Sequence, residues 1–459
     1  MKASDNCSDI PQQLILIVFL RGFTFTPVSM RSPYFPARSM LFRKEPNGVT
    51  YRVPALLYLP RTSCFLAFCE ERLSPSDSQA HLLVMRKGTF YRNYVEWEDM
   101  HVLGTAFLSG HRSMNPCPSY QLVTGKNVTR LCFICSTDEG DTWSPVTDLT
   151  QRVIGDTIKE WATFALGPGH GIQLKSGRLL IPAYAYHIDC KECFGQICQT
   201  TSRAFCFHSD THGRTWRFGE AVPGPESVEC QMVSVDEEDG TNVLYCNARS
   251  PLGYRVQSLS LDDGAAFQEG QLVQRLVEPR NGCHGSIVGF PAPLHLCKSL
   301  PLYLQQHTHF LTPTWVVYSH PTWTTARKDL GVFLSLFPRD PDSWRGPWVI
   351  YEGPSAYSDL AYLELPPSAG APPAVAFACL FECGTTTAYD EICFSIFTLY
   401  ELIDNLPQNV QLRQNTGECK SPQNEKSETR STSGHDAPVA HQGEKRREKR
   451  NLAKMCSVS

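Results

Sequence analysis

An eight-residue pattern that recurs along this chain limits its fold more than any other feature. Residues 136–143 read STDEGDTW, with Ser136, Asp138, Gly140, Thr142 and Trp143 at fixed offsets. Residues 209–216, SDTHGRTW, repeat Ser209, Gly213, Thr215 and Trp216, with Thr211 in the Asp place. Residues 260–267, SLDDGAAF, keep Ser260, Asp262, Gly264 and an aromatic, Phe267. Each copy follows or overlaps an apolar run, as a turn between two strands would. Ser and Asp side chains bond turn amides, Gly takes positive φ, and the terminal aromatic packs between sheets. Spacings of 73 and 51 residues each bracket a four-stranded sheet with its loops. Aromatic and β-branched runs such as YRVPALLYL, SCFLAFCE, GRLLIPAYAY, TWVVYSH and ICFSIFTLYE fill residues 41–406. No comparable stretch sustains a helical period, and one short helix is expected over Thr157–Phe164. A body of about 365 residues cut into such units predicts an all-β fold, a six-bladed β-propeller.

Composition agrees. Hydrophobic residues at 42% supply a core, and charged residues at only 19% with 31 Gly and 33 Pro suit a tightly turned β protein. The net charge of −4 is uneven: residues 408–459 hold 10 Lys/Arg against 6 Asp/Glu, leaving −8 elsewhere. A body so charged is a poor nucleic-acid binder. The predicted organisation is a leader over 1–39, the propeller over 40–406, and a disordered basic tail over 407–459. The tail's Lys445, Arg446, Arg447, Lys449, Arg450 and Lys454 are either solvated or in contact with anionic lipid headgroups. In the leader, the seven-residue apolar run 14–20 is far short of the roughly 20 residues a membrane span needs. With Asp5 and Asp9 ahead of it and no small-residue cleavage site, it reads as a flexible extension. Nineteen scattered cysteines in a long chain suggest reduced thiols. Cys190, Cys193 and Cys198 could bind zinc, but no second set with ligand spacing follows, so a loop with free thiols is expected. The sequon at Asn127 matters only in a secreted protein. A G-x-S-x-G elbow and an H-E-x-x-H site are absent, and the glycines of 167–171 lack dinucleotide spacing.

Ahead of the boxes stands Tyr51-Arg52-Val53-Pro54, and HRSMNPCP (111–118), LGPGHGIQL (166–174), PAYAY (182–186) and AYSDL (356–360) lie between and after them. In these motifs the chain resembles the animal sialidase (neuraminidase) family over about residues 40–405, most nearly its plasma-membrane ganglioside type. The resemblance implies a retaining exo-α-sialidase that removes terminal sialic acids from gangliosides, oligosaccharides and glycoproteins. No metal or organic cofactor is implied. It also implies peripheral attachment to the plasma membrane or to endosomal and lysosomal membranes, with the cytoplasm as the alternative. The boxes are then structural and lie away from the catalytic face.

Sialic acid bears a carboxylate on its anomeric carbon, so its site should offer fixed guanidinium forks. The resemblance assigns these to Arg52, to Arg249 in CNARS and to Arg327 in TTARKDLG, with Glu382 in CLFECG holding the first. A carboxylate nucleophile would meet the substrate's own carboxylate, and a neutral one avoids that repulsion. Tyr357 in AYSDL matches the family's tyrosine nucleophile, Glu229 in VECQ its base, and Asp77 the acid/base. Arg72 would face the 4-hydroxyl or N-acetyl side, and Met114 would pack on the N-acetyl methyl. Tyr184 and Tyr186 would line the glycerol pocket; their spacing of two puts both on one face of a strand.

One departure stands out. Pro118 is followed directly by SYQLVTGKNVTRL, where the family carries roughly twenty more residues, an inner strand and a glycerol-binding glutamate. The alternative function is therefore a catalytically impaired sialoside-binding propeller. The arginine, tyrosine and acid set argues against a scaffold for protein partners alone.

Overall fold

The boxes fold as their residue types dictate, and all three share one skeleton. In the computed structural model, Ser136, Ser209 and Ser260 Oγ accept from Gly140, Gly213 and Gly264 N at 2.8, 2.9 and 2.9 Å. The residues before those glycines, Glu139, His212 and Asp263, hold φ of 60°, 53° and 56°, and the glycines 91°, 80° and 86°. Asp138 and Asp262 Oδ1 each accept the amide four residues on at 2.9 Å. In the second box the Thr211 hydroxyl accepts Thr215 N at 2.8 Å instead. The turn needs an oxygen at that reach and not a charge, so worn copies still close. Trp143 packs edge-on against Phe68 of the preceding sheet, centroids 5.9 Å apart.

The structure describes residues 36–407, apart from 92–93, 104–120, 123–126, 192–196, 238, 294–311 and 366–373. Leader, basic tail and Met114 thus lie outside the described residues. Six antiparallel sheets follow one another as the blades of a β-propeller. The first blade runs Thr50–Leu59, Cys64–Arg72, Ala80–Tyr91 and Tyr94–Trp97. The third pairs Trp161–Leu166 and Ile172–Gln173 with Leu179–Lys191, then adds Ile197–Ser209 and Arg217–Phe218. The fourth runs Val228–Asp236, Asn242–Arg249, Tyr254–Ser260 and Gln271–Val277. The 22-residue strand Trp344–Leu365 serves two blades. Its first half is the outer strand of the fifth, beside Ser286–Pro291, Thr314–Pro321 and Lys328–Ser335; its second half is the inner strand of the sixth. Ala374–Cys383 and Glu391–Thr398 continue the sixth blade, and Arg38–Arg43, from the other end of the body, completes it. The core lies between blades: Leu41, Phe42, Leu56 and Phe65 pack with Leu380, Ile392 and Phe394 across the seam of first and sixth.

The second blade shows only Cys132–Phe133 and Thr147–Asp148 among the described residues. The box between them marks them as its third and fourth strands, as in the third and fourth blades. The stretch that the sequence shortens, after Pro118, lies mostly outside the described residues. A buried strand with three or four large side chains is worth several kcal/mol at about 25 cal/mol per Å² of apolar area. Inserting a family-type segment of about twenty residues between Tyr120 and Val123 is therefore expected to raise Tm by several degrees. Equal Tm for the two chains, measured by calorimetry, would show that this blade closes without the segment.

Two local expectations need correction. Thr157–Phe164 is not a helix: a 3₁₀ turn ends at Glu160 and Trp161–Leu166 is a strand, because Trp161, Ala162, Thr163 and Phe164 are buried beside Leu179–Lys191. Cys190 is disulfide-bonded rather than a free thiol.

At the propeller axis one carboxylate ties blades together. Asp359 is fully buried and accepts from Leu56 N, His170 Nδ1 and Gln231 Nε2 at 2.8 Å each, and from Ser286 Oγ at 3.0 Å. Its donors come from the first, third, fourth and fifth blades. Gly169 is required there, since a Cβ would stand 2.2 Å from Gln231 Nε2 and 2.3 Å from Asp359 Oδ1.

Candidate active site

Blade topology decides which residues can meet. In an up-and-down blade the start of the first strand, the end of the second and the loop to the third share one end. Arg52, Glu229 and Tyr357 stand near the starts of first strands, and Arg72, Arg249 and Glu382 at or near the ends of second strands. Asp77 and Arg327 lie in second-to-third loops. The boxes, in third-to-fourth loops, fall at the opposite end. Pairing register slips at each first-strand start, between Arg52 and Ala55, Val228 and Cys230, and Ser355 and Ser358. Such bulges re-aim side chains. Val53 at φ 59° and Glu229 at φ 31° carry backbone strain there.

Glu382, wholly buried, organises one wall. Its carboxylate accepts from Arg52 Nε and Val53 N at 2.9 Å each and from Tyr357 N at 3.1 Å. Burial works against the Arg52 charge, but Glu382 outweighs it and keeps the guanidinium protonated. Arg52 Cζ lies 4.0 Å from the Tyr389 ring centroid and 5.3 Å from that of Tyr357. Arg327 Cζ is 5.5 Å from the Tyr357 ring; its Nη1 donates to Tyr389 OH at 3.2 Å and its Nη2 to Gly282 O at 3.1 Å. Arg249 donates from Nη1 to Tyr357 OH at 3.1 Å and to Glu229 Oε2 at 2.7 Å. Three guanidinium groups thus surround one phenol.

That phenol donates to Glu229 Oε1 at 2.5 Å. Burial pushes the Tyr357 hydroxyl well up, and the Glu229 charge adds to it. Burial also opposes the charge on Glu229, yet Arg249 overcomes it and holds this carboxyl at about 2. Asp77 stands at the rim, its side chain 62% exposed. It accepts from Arg72 Nη1 at 2.5 Å and lies 3.7 Å from Arg52 Nη1. Tyr184 and Tyr186 project from one face of their strand with rings 6.2 Å apart. Burial raises the Tyr184 phenol first, and the Glu229 charge raises it further, which sets both tyrosines beside the pair.

Of the residues expected from sequence, all but Met114 are described, and the structure gathers them at this end. It adds three that sequence reasoning missed. Tyr389 joins Arg52 and Arg327. Glu70 Oε2 fixes Arg72 at 2.6 Å from Nη2. His284 lies with its ring centroid 5.3 Å from that of Tyr357, and both its nitrogens are buried without a partner among the described residues. Burial pushes its ring down to about 4, so it is neutral near pH 7.

Residues 65–365 match the family described as BNR repeat-like domain. Sialidase-4 from Mus musculus is 44% identical over 466 residues, covering 82% of this chain and 96% of its own length. Sialidase-3 from Homo sapiens is 41% identical over 426 residues, covering 84% and 95%. The chain belongs to the sialidase family. As a sialidase it is a glycoside hydrolase that acts on terminal sialic acids. Sialidase-2 from Mus musculus is also 44% identical, over 389 residues, covering 79% and 95%. These identities do not separate the sialidase-3 type, the ganglioside sialidase expected from sequence, from sialidase-4. The 466 aligned positions exceed the 82% of this 459-residue sialidase that they use, so Sialidase-4 carries segments absent here. Among solved structures, Hadza microbial sialidase Hz136 has a TM-score of 0.55 at 19% identity, covering 78% of this chain and 67% of its own. Trypanosoma rangeli sialidase has 0.51 at 13%, covering 81% and 61%. Both share the fold.

Proposed function

We propose that this sialidase is a retaining enzyme in which Tyr357 attacks the anomeric carbon, Glu229 takes the phenolic proton, and Asp77 serves the leaving group. The observation that carries this reading is the 2.5 Å bond from Tyr357 OH to Glu229, with Arg249 bonded to both. A carboxyl held at about 2 is a weak base for a phenol pushed above its usual range. A phenolate is therefore not formed at rest, and proton transfer must accompany bond formation to the sugar. Substrate helps: its carboxylate on Arg249, Arg327 and Arg52 offsets the cationic field that depresses Glu229, and so makes that base stronger. Asp77, open to water, gives a proton to the leaving oxygen and then takes one from the water that cleaves the tyrosyl–sugar bond.

Gangliosides at a membrane surface are the proposed substrates, supported by the sialidase-3 resemblance and the basic cluster at 445–454. No helix among the described residues is long and apolar enough to cross a membrane, which fits peripheral attachment. The test uses two sialosides. Wild type should hydrolyse both an aryl sialoside and a ganglioside; Asp77→Ala should lose at least tenfold more kcat on the ganglioside, whose leaving group needs the proton. Equal losses on both would remove Asp77 as the acid. If wild type binds sialosides but turns neither over, the impaired-binder reading stands instead, as the shortened sequence after Pro118 would favour.

A further inference from the structure

Behind the strand that carries Glu382, three metal-ligating groups of the sixth blade converge. Cys383 and Cys393 are almost fully buried, and Glu391 is half-buried. Cys383 pairs with Glu391 across the two strands, and Cys393 lies two residues beyond it. Alternation puts all three on one face and Glu382 on the other. Their two sulfurs and one carboxylate oxygen lie within 4.8 Å of one another, and Cys393 Sγ stands 3.8 Å from Glu391 Oε2. A tetrahedral zinc ion, at about 2.3 Å from sulfur and 2.0–2.2 Å from oxygen, needs ligand atoms roughly 3.6–3.8 Å apart. The cluster is within about 1 Å of that spacing.

Charge fits as well. Two thiolates, a carboxylate and a divalent cation sum to −1, and Arg38, stacked 4.8 Å from the Tyr351 ring centroid, acts electrostatically on Cys383 from beside it. Without a metal the cluster holds a thiol pair with weak donors only. We infer that Cys383, Cys393 and Glu391 form a binding site for a soft divalent cation of the zinc class, with the fourth position left to water. Binding exchanges two thiol protons for the metal, so affinity rises with pH. The ion would clamp the ends of two strands directly behind the Arg52–Glu382 pair.

The probes are Zn²⁺ and Cd²⁺ added to the full-length, chemically reduced protein. Wild type should bind one equivalent more than Cys393→Ser, with stronger thiolate-to-Cd²⁺ absorbance and a Tm that climbs with metal concentration. Glu391→Gln keeps both thiols and its shape; it should bind at least tenfold more weakly, and it decides the matter if Cys393→Ser does not fold. Equal stoichiometry and affinity in wild type and both variants would overturn the site, since exposed thiols such as Cys132 and Cys135 would then account for all uptake. Loss in Cys393→Ser with unchanged affinity in Glu391→Gln would overturn the three-ligand arrangement.

Discussion

Tyr357→Phe should abolish turnover while leaving sialoside binding nearly intact. The substitution removes one oxygen and leaves the ring, which Arg52 and Arg327 flank at 5.3 and 5.5 Å. Arg249 keeps its bond to Glu229, so the charge balance of the wall survives. What disappears is the only proposed nucleophile. Loss of a covalent nucleophile costs orders of magnitude in kcat, here about 10³ or more. The Kd of a non-hydrolysable sialoside should stay within about threefold, because uniform binding rests on the arginines. Turnover above a tenth of wild type in Tyr357→Phe would remove it as the attacking group.

Glu382→Ala should be the most destabilising single change at this end of the propeller. It strands Arg52, 3% exposed, without its buried counter-charge, with only the exposed Asp77 left 3.7 Å away, and it orphans the amides of Val53 and Tyr357. Breaking a buried pair from one side costs about 3–5 kcal/mol. Activity should fall with it, since Arg52 and the Tyr357 backbone lose the same anchor. Glu382→Gln retains an acceptor for Val53 N and should fall between the two. A chemical-denaturation midpoint for Glu382→Ala close to that of wild type would show that Arg52 finds compensation elsewhere.

The architecture was legible because its signal is local. Three boxes at matching offsets fix three turns, and their spacing over a body of about 365 residues sets the number of blades. The worn copies remained readable since Thr211 and Asp262 still supply the oxygen the turn amide needs. The helix Leu399–Asn405 also had a local mark, Thr398 with Glu401 as a capping box, but it is only seven residues among long apolar runs. The site was legible only through resemblance. Tyr357 and Glu229 are 128 residues apart, Arg52 and Glu382 are 330 apart, and no spacing rule joins them. Tyr389 and His284, which no quoted motif assigned a role, were missed for that reason. Asp359 sits inside the quoted AYSDL yet carried no hint that four other blades would converge on it.

The strand that completes the sixth blade also sets the order in which the protein can be made. Arg38 pairs with Ser395, so this outermost strand leaves the ribosome before the other described strands and waits for the last sheet. At about 5–20 residues per second that wait is roughly 20–70 s. Throughout it, Leu41 and Phe42 have no seam to fill, while Arg38 and Arg43 keep that lone strand soluble and discourage pairing with other chains. A nascent chain that stalls before Glu391 cannot seal its ring, however well its earlier blades have folded. Completion of the ring thus reports that translation has passed the residues on which Arg52 depends.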